Sequence, residues 1–371
     1  MKIVIAVTRG FHLRHLAREL IAAGRDVTYL TYLPRFRITR DGIPLARARS
    51  YFLSLQPWSG AALMRYPARL VEAATDALFA RADEAYARDL PPCDIFIGLS
   101  AMTIRSAKVA RERFGAKIII ERGSRHVLSQ KAILAESGAR PLSRNYIDRE
   151  LAGYALADYI ALPSQHAVDS FRERGFADER LFRNPYGVEL GVFALSERPP
   201  WPLRLVFVGN WGYRKGCDAI ARMLADNPDL HVTHVGTRGD LEFPTASNFT
   251  SLGHRSHGEL ARVLRGQHVL LLPSREDGFG MVLLEALAVG LPVIASTKTG
   301  GPDLAGMIGE RNAVAIVPPA DARALTDAVR RMEVWLRSRP ANGSILTEAD
   351  KANLSWAAYA KRYDSFLSTI A

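Results

Sequence analysis

Two carboxylates in one short stretch have the types and spacing to do chemistry. Residues 269–304 read VLLLPSREDGFGMVLLEALAVGLPVIASTKTGGPDL, with Asp277 and Glu285 eight positions apart. An apolar strand, Val269 to Leu272, ends in a polar loop with Gly278 and Gly280 around Phe279. A helix-period run follows, in which Val282, Leu283, Ala286, Leu287 and Val289 face a core. About two helical turns separate the acids, so both can address one ligand at different depths. In an open α/β sheet such loops lie at the carboxyl ends of strands, and the N–H groups opening the next helix attract phosphate. The stretch therefore reads as half of a nucleotide or phosphate site. A second polar cluster, Glu121 to His126, follows the strand Lys117 to Ile120. There His126 can hydrogen-bond a sugar or acceptor, and Arg122 or Arg125 can meet phosphate.

The elements that must hold these residues alternate strand and helix. Met1 to Val7 is an apolar strand, Gly10 opens the loop beyond it, and a helix repeating Leu13, Leu16, Ala17, Leu20 and Ile21 stops at Gly24. Further strands are expected at 26–30, 94–99, 117–120 and 159–163. The alternation restarts with Leu203 to Val208 and continues at 230–235, 269–272, 291–295 and 313–317. Pro199, Pro200 and Pro202 around Trp201 mark the boundary. The division is 1–195, a linker 196–202, a second domain 203–350 and a terminal helix 351–371.

With 371 residues, 23% charged and 48% hydrophobic, the composition is that of a globular chain of two domains. Two cysteines provide neither a disulfide framework nor a metal set. No apolar run reaches transmembrane length and Ile3 to Val7 is too short for a signal peptide, so a cytoplasmic location is expected. The net charge of +11 is concentrated: residues 1–150 hold 25 Lys and Arg against 14 Asp and Glu, and the remainder is neutral. Within 33–70, Arg35, Arg37, Arg40, Arg47, Arg49, Arg65 and Arg69 interleave with Phe36, Tyr51, Phe52, Trp58 and Tyr66. Arginines beside aromatics suit an anionic bilayer surface or RNA, and equally a solvated face over core aromatics.

The spacing of Asp277 and Glu285 resembles the E-x7-E signature of retaining GT-B glycosyltransferases of family 4 (group 1), with Asp277 where a Glu is usual and Glu276 one position too early. VFVGNWGYRKG, within 206–216, resembles that family's glycine loop. Lys215 falls on its lysine, and Asn210 where an arginine is usual, with Arg214 as a stand-in. Gly300-Gly301-Pro302-Asp303 resembles its glycine pair with a following acid, and Ser355-Trp356 the start of its returning helix. The resemblance implies an α/β GT-B fold: two Rossmann-like βαβ domains facing a central cleft, with the C-terminal helix crossing back. It implies a hexosyltransferase-type enzyme moving sugar from a nucleotide-diphosphate donor to a glycan or lipid-linked acceptor, in envelope polysaccharide or glycolipid synthesis. His126, Lys215 and Asp277 take catalytic roles. Donor binding falls to Gly10, Asn210, Arg214, Lys215, Asp277, Gly278, Phe279, Gly280, Met281 and Glu285. An acceptor or membrane patch comprises Arg35, Arg37, Arg40, Trp58, Arg65, Arg122 and Arg125. The chain has no Asp-x-Asp triplet, so no metal or other cofactor is expected, nor any nucleic-acid partner. The alternative is a GT-B scaffold that binds nucleotide sugar without transferring it. A dehydrogenase is disfavoured, because neither half carries the full G-x-G-x-x-G turn.

Overall fold

The computed structural model describes residues 1–8, 10–54, 68–136, 141–341 and 345–370. Its central strands are short apolar runs buried on both faces, as parallel strands between helical layers require, while the edge strands are partly exposed. In β1 (Lys2–Val7) every residue after Lys2 is buried, and β11 (Val269–Leu272) is buried throughout. The first sheet adds β2 (Asp26–Thr31), β3 (Ala48–Ser50), β4 (Ile95–Leu99), β5 (Lys117–Glu121), β6 (Tyr159–Leu162) and β7 (Leu181–Arg183), in the order β3-β2-β1-β4-β5-β6-β7. The second holds β8 (Leu205–Val208), β9 (Val232–Val235), β10 (Phe249–Ser251), β11, β12 (Val293–Ser296) and β13 (Val314–Val317), in the order β10-β9-β8-β11-β12-β13. All these ladders are parallel.

Strand order reverses direction between β1 and β4 in the first sheet and between β8 and β11 in the second. Such switch points open a crevice at the carboxyl ends of the strands. The loop after β8 carries Lys215 and the loop after β11 carries Asp277, so topology alone brings distant stretches together.

The helix Trp356–Ile370 lies on the first domain. Arg25 makes a bidentate pair with Asp364 at 2.6 and 2.9 Å, and Phe182 stacks on Phe366 with centroids 4.0 Å apart. Gly187 admits this docking, since a Cβ there would lie 2.6 Å from the Trp356 amide nitrogen. One continuous apolar cluster runs from β1 through Tyr186, Val188, Phe193 and Trp356 into β8 and β11, so the domains share a core. The segment 196–202 rests on the second domain, where Ser196 N donates to Val289 O and Arg198 N to Ala341 O.

The basic stretch contains elements the hydropathy pattern hides. Arg35–Arg40 is a helix whose one buried residue is Ile38, and Ala48–Ser50 is the edge strand β3. Trp58 and Arg65 lie outside the described residues. Among those described, no helix is long and apolar enough to cross a membrane.

Candidate functional site

The loop after β8 ends in a 3-10 turn, Tyr213–Lys215, closed by Gly216 at φ 72°. A Cβ on Gly216 would fall 2.3 Å from the Pro273 carbonyl oxygen, so only glycine lets this loop touch the one after β11. That contact sets Lys215 beside Asp277, and the two side chains form an ion pair. Asp277 N donates to Lys298 O at 2.9 Å, which fixes the loop from the β12 side.

Glu276 does different work from its neighbour. It is fully buried and accepts from Arg214 at 2.8 Å and from Ser124 Oγ, across the domain boundary, at 2.6 Å. Burial alone would raise its pKa, but the Arg214 guanidinium and the Ser124 hydroxyl outweigh it and hold the carboxyl down at about 2. Arg214 is thereby committed to Glu276. Asn210 is exposed and packs against Gly239 in the loop after β9, with no bond to Lys215 or Asp277.

Gly278 touches the first domain directly. A Cβ here would sit 1.9 Å from the Gly123 carbonyl oxygen. Phe279 is buried, meets Tyr186 edge-on at 5.7 Å, and accepts at its carbonyl from Gly300 N at 2.8 Å. Gly280, at φ 82°, starts the helix Met281–Ala288, with Met281 exposed at its opening. Glu285 lies on that helix, half-buried and with no side-chain partner among the described residues. Burial pushes its carboxyl up to about 7.

The first domain closes on this loop through two further contacts. Ser164 Oγ donates to the Gly278 carbonyl at 2.5 Å. Asp303, at the start of the helix Gly301–Met307, accepts from Gln165 N at 3.1 Å and from Arg183 at 2.9 Å. Burial raises the Asp303 pKa against the pull of those donors. Behind Tyr186, His12 packs its ring at a tilt with centroids 4.5 Å apart and pairs with buried Glu121 at 2.9 Å, while Tyr359 of the returning helix donates to the same carboxylate at 3.2 Å.

Several candidates lie elsewhere. The His126 ring sits among Tyr154, Phe171 and Phe176 at 5.0, 5.0 and 5.9 Å, and its Nδ1 accepts from Leu128 N at 3.3 Å. Burial, then Arg174 and Arg122, lower its pKa to about 4, so it is a neutral core histidine. Arg122 is buried and spends its donors inside the first domain, on Glu150 at 2.6 Å, Tyr146 Oη at 2.9 Å, Gln130 at 2.8 Å and Arg125 O at 3.0 Å. It has no free face for an acceptor or a membrane. Replacing Arg122 with alanine leaves Glu150 buried and unpaired, so equilibrium denaturation is expected to register a loss of about 3–5 kcal/mol. Arg125 is nearly buried and 3.5 Å from Glu173. Arg35, Arg37 and Arg40 are exposed on their short helix. Gly10 lies in the loop after β1, against Leu33 and Arg14. Glu121 and Ser124 stand in the polar cluster after β5 and Ser164 caps a helix, but nothing local in the sequence ties them, Tyr186 or His12 to this site, and Glu276 lies one position out of register. The acid pair Glu276-Asp277 was the available hint, since adjacent acids in one loop face different partners.

Two facing doubly wound sheets with a returning C-terminal helix constitute the GT-B glycosyltransferase fold. Over 100% of this chain and 99% of the other, it superposes with TM-score 0.71 and 19% identity on sucrose-phosphate synthase (tll1590) from Thermosynechococcus elongatus. Against Anabaena Alr3699/HepE in complex with UDP-glucose the TM-score is 0.66 at 14% identity, covering 100% of both chains. Within this fold, residues 202–333 match the family model described as Glycosyl transferases group 1. It is 27% identical over 361 residues to the glycogen synthase of Mycobacterium tuberculosis, spanning 86% of this chain and 81% of that one.

Proposed function

We propose that this glycosyltransferase moves a sugar, with retained anomeric configuration and without a metal, from a nucleotide-diphosphate donor to a glycan or lipid-linked acceptor. The observation that carries the reading is the convergence of Lys215 and Asp277 at the second switch point, with Glu285, unpartnered among the described residues, on the helix that follows. Glu285 accepts from the ribose hydroxyls, for which a carboxylate offers two oxygens. Asp277 and the amides of Phe279 and Gly280 hold the donor sugar. Lys215 exchanges Asp277 for the diphosphate, and with the opening of the helix Met281–Ala288 it stabilises the charge that grows as the glycosidic bond breaks. The acceptor hydroxyl loses its proton to the leaving phosphate. Names of similar proteins, a glycogen synthase and a protein held with UDP-glucose, support a nucleotide-sugar donor.

The acceptor side is the basic first domain. Arg35, Phe36, Arg37 and Arg40 point outward beside a groove of about 750 Å³ lined by Arg35, Leu45, Arg49 and Tyr51. Exposed Phe36 and Leu45 with these arginines suit an anionic lipid surface, consistent with a cytoplasmic enzyme of envelope glycan synthesis that meets the membrane from the side. A second reading, binding without transfer, draws on the withdrawal of His126 from the cleft. Incubation with UDP-glucose, GDP-mannose and ADP-glucose, with and without anionic vesicles, separates the two. Release of one nucleotide is expected, faster with lipid acceptor present. Binding with no release supports the second reading.

A further inference from the structure

A single hydroxyl joins the two domains at the donor loop. Ser164 is the N-cap of the helix Gln165–Arg172, and its Oγ accepts from Ala167 N at 3.2 Å. The same oxygen donates to the Gly278 carbonyl at 2.5 Å. A hydroxyl has one donor and two acceptor positions, so the two bonds coexist. Ser164 is fully buried, and the helix it caps is also tied to the second domain by Asp303 at Gln165 N.

The Gly278 carbonyl and the Phe279 N–H are opposite ends of one planar trans peptide. Pinning the oxygen toward Ser164 aims the N–H the other way. That N–H finds no acceptor among the described residues, which leaves it available to a ligand. The helix cap alone does not require a hydroxyl, because Asp, Asn and Gly also start helices well. The bond to Gly278 does require a donor.

We propose that Ser164 is a positioning residue for the transfer reaction, a hydroxyl of one domain that orients the 278–279 peptide of the other toward the bound sugar. The donor site is then complete only when the domains are closed. This rests on the donor reading above. It assigns nucleotide binding to the second domain alone, and correct sugar presentation to closure.

The test uses the full chain with Ser164→Gly and Ser164→Thr. Glycine keeps a serviceable helix start and removes the donor, whereas threonine keeps the hydroxyl. Turnover is measured with whichever of UDP-glucose, GDP-mannose and ADP-glucose the wild type uses, alongside the Kd of the matching nucleoside diphosphate and the melting temperature. The glycine variant is expected to lose about tenfold in kcat, the worth of one buried carbonyl left unsatisfied. Its nucleotide Kd stays within about twofold of wild type, its melting temperature shifts by no more than a few degrees, and threonine restores kcat. An undiminished kcat in the glycine variant overturns the proposal. So does a loss in both variants that tracks melting temperature, which marks a cap and nothing more. A wild type that binds and uses none of the three donors overturns the donor reading, and this inference with it.

Discussion

Gly278→Ala is expected to reduce transfer by about 10²-fold while both domains stay folded. The new Cβ would lie 1.9 Å from the Gly123 carbonyl oxygen, 2.6 Å from its carbon and 2.7 Å from Ser124 Cα. All three are backbone atoms in the loop just beyond β5, so no flexible side chain can yield. The relief is separation of the domains by an ångström or so, which breaks the bonds from Ser124 to Glu276 and from Ser164 to Gly278 together. Misplacement of that size costs about 10²-fold in rate, because the reacting groups leave attack geometry. Nucleotide affinity, carried by Lys215 and Glu285 on the second domain, should change far less. The check is steady-state kinetics with solution scattering: an unchanged kcat, or an unchanged radius with a lost kcat, contradicts the steric account.

Glu285→Gln is expected to weaken nucleotide binding at least tenfold at pH 8, the approximate worth of charge-assisted bonds from two hydroxyls. It should also stabilise the ligand-free fold. Burial raises this carboxyl from 4.5 to about 7, so the folded state holds a proton that the unfolded state has released. Its contribution to stability is therefore greatest at low pH and declines as pH rises from about 4.5 toward 7. Hydroxyls donate best to the ionised form, so wild-type affinity for nucleoside diphosphate rises as pH passes upward through about 7. Glutamine removes both slopes. Calorimetric Kd and melting temperature across pH 5.5 to 8.5 test this; a flat wild-type binding profile would mean that Glu285 does not face the ligand. An acid left half-buried and, among the described residues, unpartnered in the resting fold is a stability cost that binding repays.

What was legible in the sequence was local. The apolar runs of β1, β4, β5, β8 and β11 and the spacing of Asp277, Glu285 and the two glycine loops follow from periods of a few residues, which one chain displays in order. The repeated strand–helix alternation shows two βα halves, and the GT-B architecture comes with the resemblance carried by Asp277, Glu285 and Lys215. Contacts between domains have no such period. Ser124 meets Glu276 and Ser164 meets Gly278 across 152 and 114 positions, and nothing in either segment announces the other. Polarity also misleads about exposure. Arg122 and His126 stand in a polar loop after a buried strand, yet Arg122 is drawn inward by buried Glu150 and His126 by an aromatic cluster. Arg214, a candidate phosphate contact, is taken by the acid dismissed one position from register. In the basic stretch the arginines masked a helix with a single inward residue.

The central claim is that Lys215, beside Asp277, forms the diphosphate end of a donor site whose ribose end is Glu285. Titration of UDP, GDP and ADP into the wild type and into Lys215→Ala, by calorimetry at low ionic strength, tests it most directly. One nucleotide should bind the wild type with a stoichiometry of about one, a single switch-point crevice having room for one ligand. Its affinity should fall at least tenfold without the lysine, the approximate worth of a charged hydrogen bond to phosphate. Equal affinity in the two proteins, or no binding of any of the three to the wild type, would contradict it.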